Sequence, residues 1–210
     1  MKQFPKKKPP FNVILLGDPA SGKATQSRRL VKKYHLYNLD MGKEVRKPAV
    51  KARYDYTGTT GVGHLTPTTI VRDIFKKIIF DAAPGQGILF NGTPKMIGEA
   101  KMVSLWLRQA RRTDPIVLYI SIPMSEVMRR AAKRRVYSRG KLVKRDDDSE
   151  KALRNRKRYY EKQISQVVDF FKAHYVFKRI SGVGSEVEVA KRIAAAVAQH
   201  EHRHNKKYGA

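Results

Sequence analysis

The feature that binds this chain most tightly is the stretch FNVILLGDPASGKATQ at residues 11–26. An almost continuous apolar run from Phe11 to Leu16 ends on Gly17, and a run so short and so evenly apolar reads as a strand buried on both faces of a parallel sheet. From Lys23 to Tyr34 there is no Gly or Pro, and Leu30 and Val31 stand among lysines and arginines, which predicts an amphipathic helix with a wet basic face. Between strand and helix lie Gly17 and Gly22, with Lys23 directly after the second glycine. Small residues let backbone N–H groups turn inward, the helix N-terminus adds positive potential, and a lysine at that spot reaches the outer phosphates of a nucleotide. The opening therefore commits the chain to a strand–turn–helix unit with an anion cradle at its bend.

The remainder alternates in the same manner. A Gly- and Thr-rich stretch over residues 47–66 leads to Thr66-Pro67, an N-cap with a first-turn proline, and Ile70, Ile74 and Ile78 then share one stripe of a helix expected over about 67–80. Residues 87–90 read as a second buried strand stopping at Asn91-Gly92, followed by a helix carrying Val103, Leu105, Trp106 and Leu107. Residues 115–123 (PIVLYISIP) form a third strand and 175–180 a fourth, before an Ala-rich helix over about 185–199. Alternating strands and helices predict an α/β fold with a central parallel sheet and helices on both faces.

Composition limits the chemistry. With 41% hydrophobic residues among 210, the chain has enough apolar material for one globular domain. Zero cysteines exclude disulfides, thiolate metal sites and a cysteine nucleophile. No run approaches the roughly 18 apolar residues of a membrane span. The N-terminus MKQFPKKKPP also has lysines and prolines where a signal peptide needs an apolar core. The expectation is a cytoplasmic monomer without a membrane partner. Lys and Arg number 45 against 18 Asp and Glu, a formal charge of +27 that invites nucleic acid or another polyanion. Residues 1–10 and 200–210 read as basic tails, and His200, His202 and His204 as solvated rather than metal-binding.

The GKATQ ending of the loop, with its hydroxyl at Thr25, resembles the adenylate kinase and wider nucleoside monophosphate kinase family, whose loop reads G-x-P-G-x-G-K-G-T-Q. Ala20 and Ala24 stand where that family has glycine. The resemblance continues at DMGKEVR (40–46), similar to T-G-D-M-L-R, at GHLT (63–66), similar to G-x-L-V, and at NGTPK (91–95), similar to D-G-F-P-R. RRAAKRRV (129–136) resembles the family's R-x-x-x-R-R-V, and RDDDSEKALRNRKRYY (145–160) its R-x-D-D segment with a later arginine and tyrosine. The short interval between these two segments matches the short-lid form.

The resemblance implies a P-loop three-layer α/β/α fold over residues 11–199, with a mobile NMP-binding segment at about 41–70 and a short lid at about 134–146. It implies ATP binding by Pro19, Ala20, Ser21, Gly22, Lys23, Ala24, Thr25, Arg130, Arg134 and Gly184. For AMP it implies Met41, Arg46, His64, Leu65, Thr66, Gly92, Lys95, Glu99, Arg145 and Arg156, and for catalysis Lys23, Arg134, Arg145 and Arg156. Mg²⁺ is expected near Thr25 and Asn91, through phosphates and water. The implied reaction is MgATP + AMP ⇌ 2 ADP.

Three departures bear on the chemistry. Asn91 replaces the family's aspartate without its charge, and Lys95 replaces an arginine and loses the bidentate fork. One aimed electrostatic contact is worth about 2.7–4 kcal/mol out of the ~8–23 kcal/mol that enzymes supply, so these changes predict a slower enzyme and not a dead one. Glu99 replaces a glutamine that reads adenine; a carboxylate accepts but does not donate, which suits guanine better through its two neighbouring N–H groups, although the overall pattern favours AMP. The competing expectations are a kinase acting on GMP or another NMP, and a catalytically weak relative binding RNA or ribosomes through its basic surface. Salt sensitivity would mark the latter.

Overall fold

The computed structural model describes residues 11–54, 67–83, 85–133, 136–138, 141–143 and 150–208. The chain runs β1 (Asn12–Gly17), α1 (Lys23–Tyr34), β2 (Tyr37–Leu39), α2 (Met41–Glu44), α3 (Pro48–Tyr54), α4 (Thr68–Asp81), β3 (Ile88–Asn91) and α5 (Ile97–Gln109). It continues through β4 (Pro115–Ser121), α6 (Met124–Lys133), β5 (Val136–Ser138), β6 (Lys141–Val143), α7 (Glu150–His174), β7 (Phe177–Ser181) and α8 (Glu186–Tyr208). Five strands form one parallel sheet in the order β2-β3-β1-β4-β7, while β5 and β6 pair antiparallel. The first expectation holds: an α/β fold around a parallel sheet.

The period-2 geometry of the strands sorts the core into two halves. Ile14 and Leu16 of β1, with Ile88, Phe90, Val117 and Tyr119, face helices α4, α5 and α7 through Phe75, Ile79, Leu107 and Phe171. Val13, Leu15, Leu89, Ile116, Leu118 and Ile120 face the opposite layer, where Leu30 of α1 and Val189, Ile193 and Val197 of α8 cover them. Every residue of β1 is buried, which explains why the run from Asn12 to Leu16 carries no alternation to solvent. Asn12 is the one polar member, and it is satisfied: Nδ2 donates to Thr113 O at 2.7 Å and Oδ1 accepts from Ile88 N at 2.9 Å. Each fully buried Val, Leu or Ile contributes about 1.5–3 kcal/mol, so the two clusters fix the sheet firmly.

Several elements depart from the sequence expectation. β2 has only three residues, too few for a periodic signal, yet it pairs Tyr37, Asn38 and Leu39 with Ile88, Leu89 and Phe90. At the start of the Gly- and Thr-rich stretch, where no element was expected, α3 forms over Pro48–Tyr54. The last helix does not stop near residue 199 but continues to Tyr208. His200, expected in a solvated tail, is 6% exposed and stands edge-on to Phe11 with ring centroids 6.4 Å apart. The terminal boundary at 199–200 thus falls inside a helix. Among the described residues no helix is long and apolar enough to cross a membrane.

Because the five strands are parallel, their C-terminal ends share one edge of the sheet. The strand order reverses at β1: β3 and β2 lie on one side, β4 and β7 on the other. Such a reversal opens a crevice beyond the strand ends, and the loops after β1, β3, β4 and β7 surround it.

Candidate active site

The loop after β1 is shaped by steric exclusion and by one buried acid. A Cβ on Gly17 would lie 2.5 Å from the carbonyl oxygen of Ile120, so only glycine lets β1 run this close to β4. Gly22, at φ 89°, adopts the left-handed conformation that turns the chain into α1. Ala20 also stands at positive φ, 57°, a region costly for a residue with a Cβ. The alanine therefore carries strain that the surrounding contacts must hold.

Those contacts centre on Asp18, which is 2% exposed. Its Oδ1 accepts from the Tyr119 hydroxyl at 2.7 Å, its Oδ2 from the backbone N–H of Ile122 at 2.9 Å, and its own N–H donates to Ile120 O at 2.9 Å. Lys23 at the start of α1 folds over the loop, with Nζ donating to Gly17 O at 2.7 Å and Asp18 O at 2.8 Å. The N–H groups of Thr25 and Gln26 both donate to Gly22 O, so the first turn of α1 starts at the loop itself.

The neighbouring strand ends bring further expected residues to this point. A Cβ on Gly92 would lie 3.8 Å from Lys23 Cε, which places the turn after β3 against the lysine. Asn91 donates from Nδ2 to Ser27 Oγ at 3.2 Å, and that hydroxyl donates on to Ala24 O at 3.1 Å. This relay gives a physical account of Asn91. An aspartate there would need Ser27 to turn its proton away from Ala24, whereas the amide fits the relay as it stands.

On the other flank, Arg130 of α6 lies beside Gly22, with Nη1 3.8 Å from the position of a Cβ there. It is held by Glu126 through Nε and donates from Nη2 to Gly182 O at 2.7 Å. Glu126 also takes two bonds from Arg129, and these cations hold its carboxyl down at about 2, the bond from Arg129 contributing most. Gly182 packs on Ile120 and Ile122 next to Ser21 O, bringing the 182–185 turn, with Gly184 at φ 105°, alongside the phosphate loop. Gln26 ties the two layers together by donating to Glu186 O at 2.9 Å.

The expected acceptor side is more loosely made. Asp40 N-caps α2 through Lys43 N, and Met41 packs partly buried against the core. The exposed Arg46 guanidinium lies over Gly42, 3.4 Å from the position of a Cβ on that glycine. Beside it, Tyr37 donates to Glu44 at 3.3 Å and Lys47 pairs with Glu44 at 2.6 Å. Burial, and after it the Glu44 charge, push the Tyr37 hydroxyl up, while the bond to Glu44 raises Lys47. Lys95 is exposed.

Glu99, expected at the acceptor base, has a local task. It is 7% exposed, and Oε2 accepts from the backbone N–H of Lys95 at 2.8 Å and of Met96 at 3.3 Å, closing the first turn of α5. One of its oxygens is therefore committed to the helix start.

His64, Leu65, Thr66, Arg134 and Arg145 fall outside the described residues, and Arg156 lies on α7 with its side chain likewise outside the description. The structure thus brings together Lys23, Asn91, Gly92, Arg130 and the 182–185 turn, and places Met41 and Arg46 at the adjacent strand end. Sequence reasoning missed Asp18, Ser27 and Glu126. The signal for Asp18 was faint, because an aspartate beside a proline in a turn ordinarily reads as a solvated turn former.

The adenylate kinase family model matches residues 15–176, from within β1 to the end of α7. The adenylate kinase of Porphyromonas gingivalis is 31% identical over 191 residues, covering 89% of this chain and 95% of the relative. That of Bacteroides thetaiotaomicron is 29% identical over 190 residues, with 89% and 98% covered, and that of Syntrophobacter fumaroxidans 27% identical over 210 residues, with 88% and 99% covered. A phosphate loop at the switch point of a parallel sheet, matched along nearly the whole chain to enzymes of this name, places the protein in the adenylate kinase family.

Proposed function

We propose that the protein is an ATP:AMP phosphotransferase that moves the γ-phosphoryl group of ATP to AMP and so forms two ADP. The observation that carries this reading is the convergence of Lys23, Gly92 and Arg130 on one loop at the reversal of strand order. Phosphoryl transfer asks for positioning and charge neutralisation, with no covalent step on the protein. In this reading the N–H groups of residues 19–25 cradle the ATP phosphates. Lys23 exchanges its carbonyl partners for the transferring phosphate. Arg130 keeps the 182–185 turn beside the donor nucleotide, with Gly184 at the adenine.

Met41, Arg46, Gly92, Lys95 and Glu99 serve the AMP side together with His64, Leu65 and Thr66. Arg134 and Arg145, from the lid at about 134–146, and Arg156, from α7, converge on both nucleotides, as the 41–70 segment closes from the opposite side and excludes water. Glu99 has Oε1 left to accept the adenine amino proton while Oε2 holds the helix start. The family and the relatives' names do not favour GMP as acceptor or an RNA-binding role in place of catalysis.

Magnesium belongs to this reading as the partner of ATP. In this reading the donors near the phosphate loop are the Thr25 hydroxyl and the Asn91 amide oxygen, the end of that amide that the Ser27 bond does not use. Hard oxygen donors of this kind suit Mg²⁺ held chiefly by phosphates and water. When bound, the ion neutralises charge on the phosphates; Asn91 and Thr25 would orient its water shell. In this reading the enzyme acts as a monomer in the cytoplasm. The exposed Arg28, Arg29, Lys32 and Lys33 of α1 support a loose additional attraction for polyanions.

The test is ADP formation from MgATP with AMP, GMP, CMP and UMP in turn, using nucleic-acid-free protein and a Lys23→Ala control. Turnover should be highest with AMP and fall by about 10²–10³ in the variant. Absence of turnover with every acceptor would sink the reading.

A further inference from the structure

Asp18 is an odd residue to find beneath a cradle for phosphates. A carboxylate there repels the ligand, and a charge that is 2% exposed persists only when fully hydrogen-bonded. Each oxygen of Asp18 accepts a hydrogen bond, and the two donors are of different kinds. Tyr119 Oη reaches Oδ1 from inside β4 at 2.7 Å, and the backbone N–H of Ile122 reaches Oδ2 from just beyond the end of that strand at 2.9 Å. Tyr119 is itself fixed: it is 4% exposed, and the Arg179 guanidinium of β7 lies 5.0 Å from its ring centroid.

The consequences run in two directions from this one carboxylate. Asp18 O is one of the two carbonyls that receive Lys23 Nζ, so fixing the Asp18 peptide fixes where the lysine starts. Ile122, on the other side, packs against Gly182, whose carbonyl Arg130 holds. The same bonds brace a loop in which Ala20 sits at φ 57°.

We propose that Asp18 is a positioning residue for the ATP side of the reaction, a tether from the phosphate loop to the end of β4 that holds the loop in its nucleotide-ready shape at the expense of some charge repulsion. The inference rests on the phosphate-loop reading given above and adds to it a side chain that touches no substrate.

The repulsion makes the test sharp, because positioning and electrostatics predict opposite signs. The Kd of MgATP and the Kd of AMP are measured separately by titration calorimetry, with melting curves, for the wild type, Asp18→Ala, Asp18→Asn and Tyr119→Phe. A tether predicts that Asp18→Ala weakens MgATP by about 10-fold or more while AMP stays within about twofold. Asp18→Asn should recover most of the loss, because its amide oxygen still accepts from Ile122 N and its NH₂ donates to Tyr119 Oη. Tyr119→Phe should give a smaller loss that adds nothing to Asp18→Ala in the double variant, as expected for two ends of one contact.

Tighter MgATP binding in Asp18→Asn and Asp18→Ala would overturn the tether and leave only the repulsion. A lower melting temperature with unchanged MgATP affinity would overturn it too, reducing Asp18 to a structural residue. If Asp18→Ala fails to fold, Tyr119→Phe and Asp18→Asn still decide by the ratio of MgATP to AMP affinity. Wild-type protein that binds no MgATP removes the phosphate-loop reading itself, whereas wild-type binding with unaltered variants removes the tether alone.

Discussion

The two sides of the proposed site are built from different materials. The ATP side grows out of the core: Gly17 sits against the backbone of β4, Asp18 is buried and doubly bonded, and Gly182 packs on Ile120 and Ile122. The proposed AMP side hangs on the sheet edge, where β2 has three residues, α2 has four, and the arginine proposed for the acceptor phosphate, Arg46, is exposed. Its ion pair, Lys47 with Glu44, has the lysine 52% exposed, and such pairs are worth about 0–1 kcal/mol. The difference teaches a division of labour. A cradle for three phosphates has to keep its shape, so it is made of excluded volume and buried polar bonds. A segment that closes over a second substrate has to move, so it is drawn from the weakly held end of the structure.

The largest effect that would break this contrast lies at Gly17. A valine there would drive its Cβ into Ile120 O, which a bare Cβ already meets at 2.5 Å. Overpacking against backbone, with no side chain free to yield, should cost about 3 kcal/mol or more, read as a lower denaturant midpoint and a loss of MgATP binding. A well-folded Gly17→Val that binds MgATP normally would show the ATP side to be softer than its packing implies.

Arg46→Ala is the counterpart on the other side. With its guanidinium in solvent, the change should leave the melting temperature within about ±0.5 kcal/mol equivalent, as surface substitutions do. Removing one charged hydrogen-bonding partner of the acceptor phosphate should raise the KM for AMP by about 10- to 100-fold. Steady-state kinetics with AMP varied, then ATP varied, separates the outcomes. Equal rises in both KM values would erase the distinction between the two sides.

Ala20→Gly tests the strain within the rigid half. At φ 57° the alanine costs about 1–2 kcal/mol relative to an unstrained conformation, while glycine adopts that region freely and pays some unfolded-chain entropy. The net expectation is a stabilisation of up to about 1 kcal/mol in chemical denaturation with little change in turnover. A destabilised glycine variant would mean that the Ala20 methyl, which packs with Ile122, Val127 and Ala131, matters more than its backbone.

This contrast also explains which parts of the molecule were legible in the sequence. The run 11–16, Gly17, Gly22 and Lys23 carry their geometry in residue type and spacing, and β1 and α1 lie where that pattern puts them. β3 and β4 were legible as apolar runs for the same reason. β2 was not, because three residues make no period and the strand exists only through its pairing with β3. α2 depends on the Asp40 cap and four residues, a signal too small to see among glycines and lysines. The end of α8 was misjudged because HEHRHNKKY is polar, and the burial of His200 edge-on to Phe11 is a contact between distant parts of the chain that no local pattern shows. The role of Asp18 and the bonds by which Glu99 closes the start of α5 were hidden for a related reason: sequence assigns an acid a charge, but only the fold decides which backbone N–H groups it must satisfy.

The smallest expected effect concerns the seam between the ATP cradle and the lid side, at Glu126. Its carboxyl is held down to about 2 by the bonds from Arg129 and then Arg130, against an ordinary value of 4.5. A depressed carboxyl stabilises the folded state above the unfolded value and loses that contribution as pH falls through the folded one. The stability that these bonds contribute should therefore be constant from pH 8 to about 5 and decay between about 4.5 and 2, while within the folded protein the hold on Arg130 lasts until the carboxyl itself titrates near 2. The Glu126 carboxyl resonance, followed by NMR as pH is lowered, should stay in its ionised position down to at least pH 3.5. Titration at the ordinary value would mean that Arg130 is free of Glu126 in solution. The arginine would then belong with the movable parts of the site, and the boundary between rigid and mobile halves would shift from the lid to the 182–185 turn.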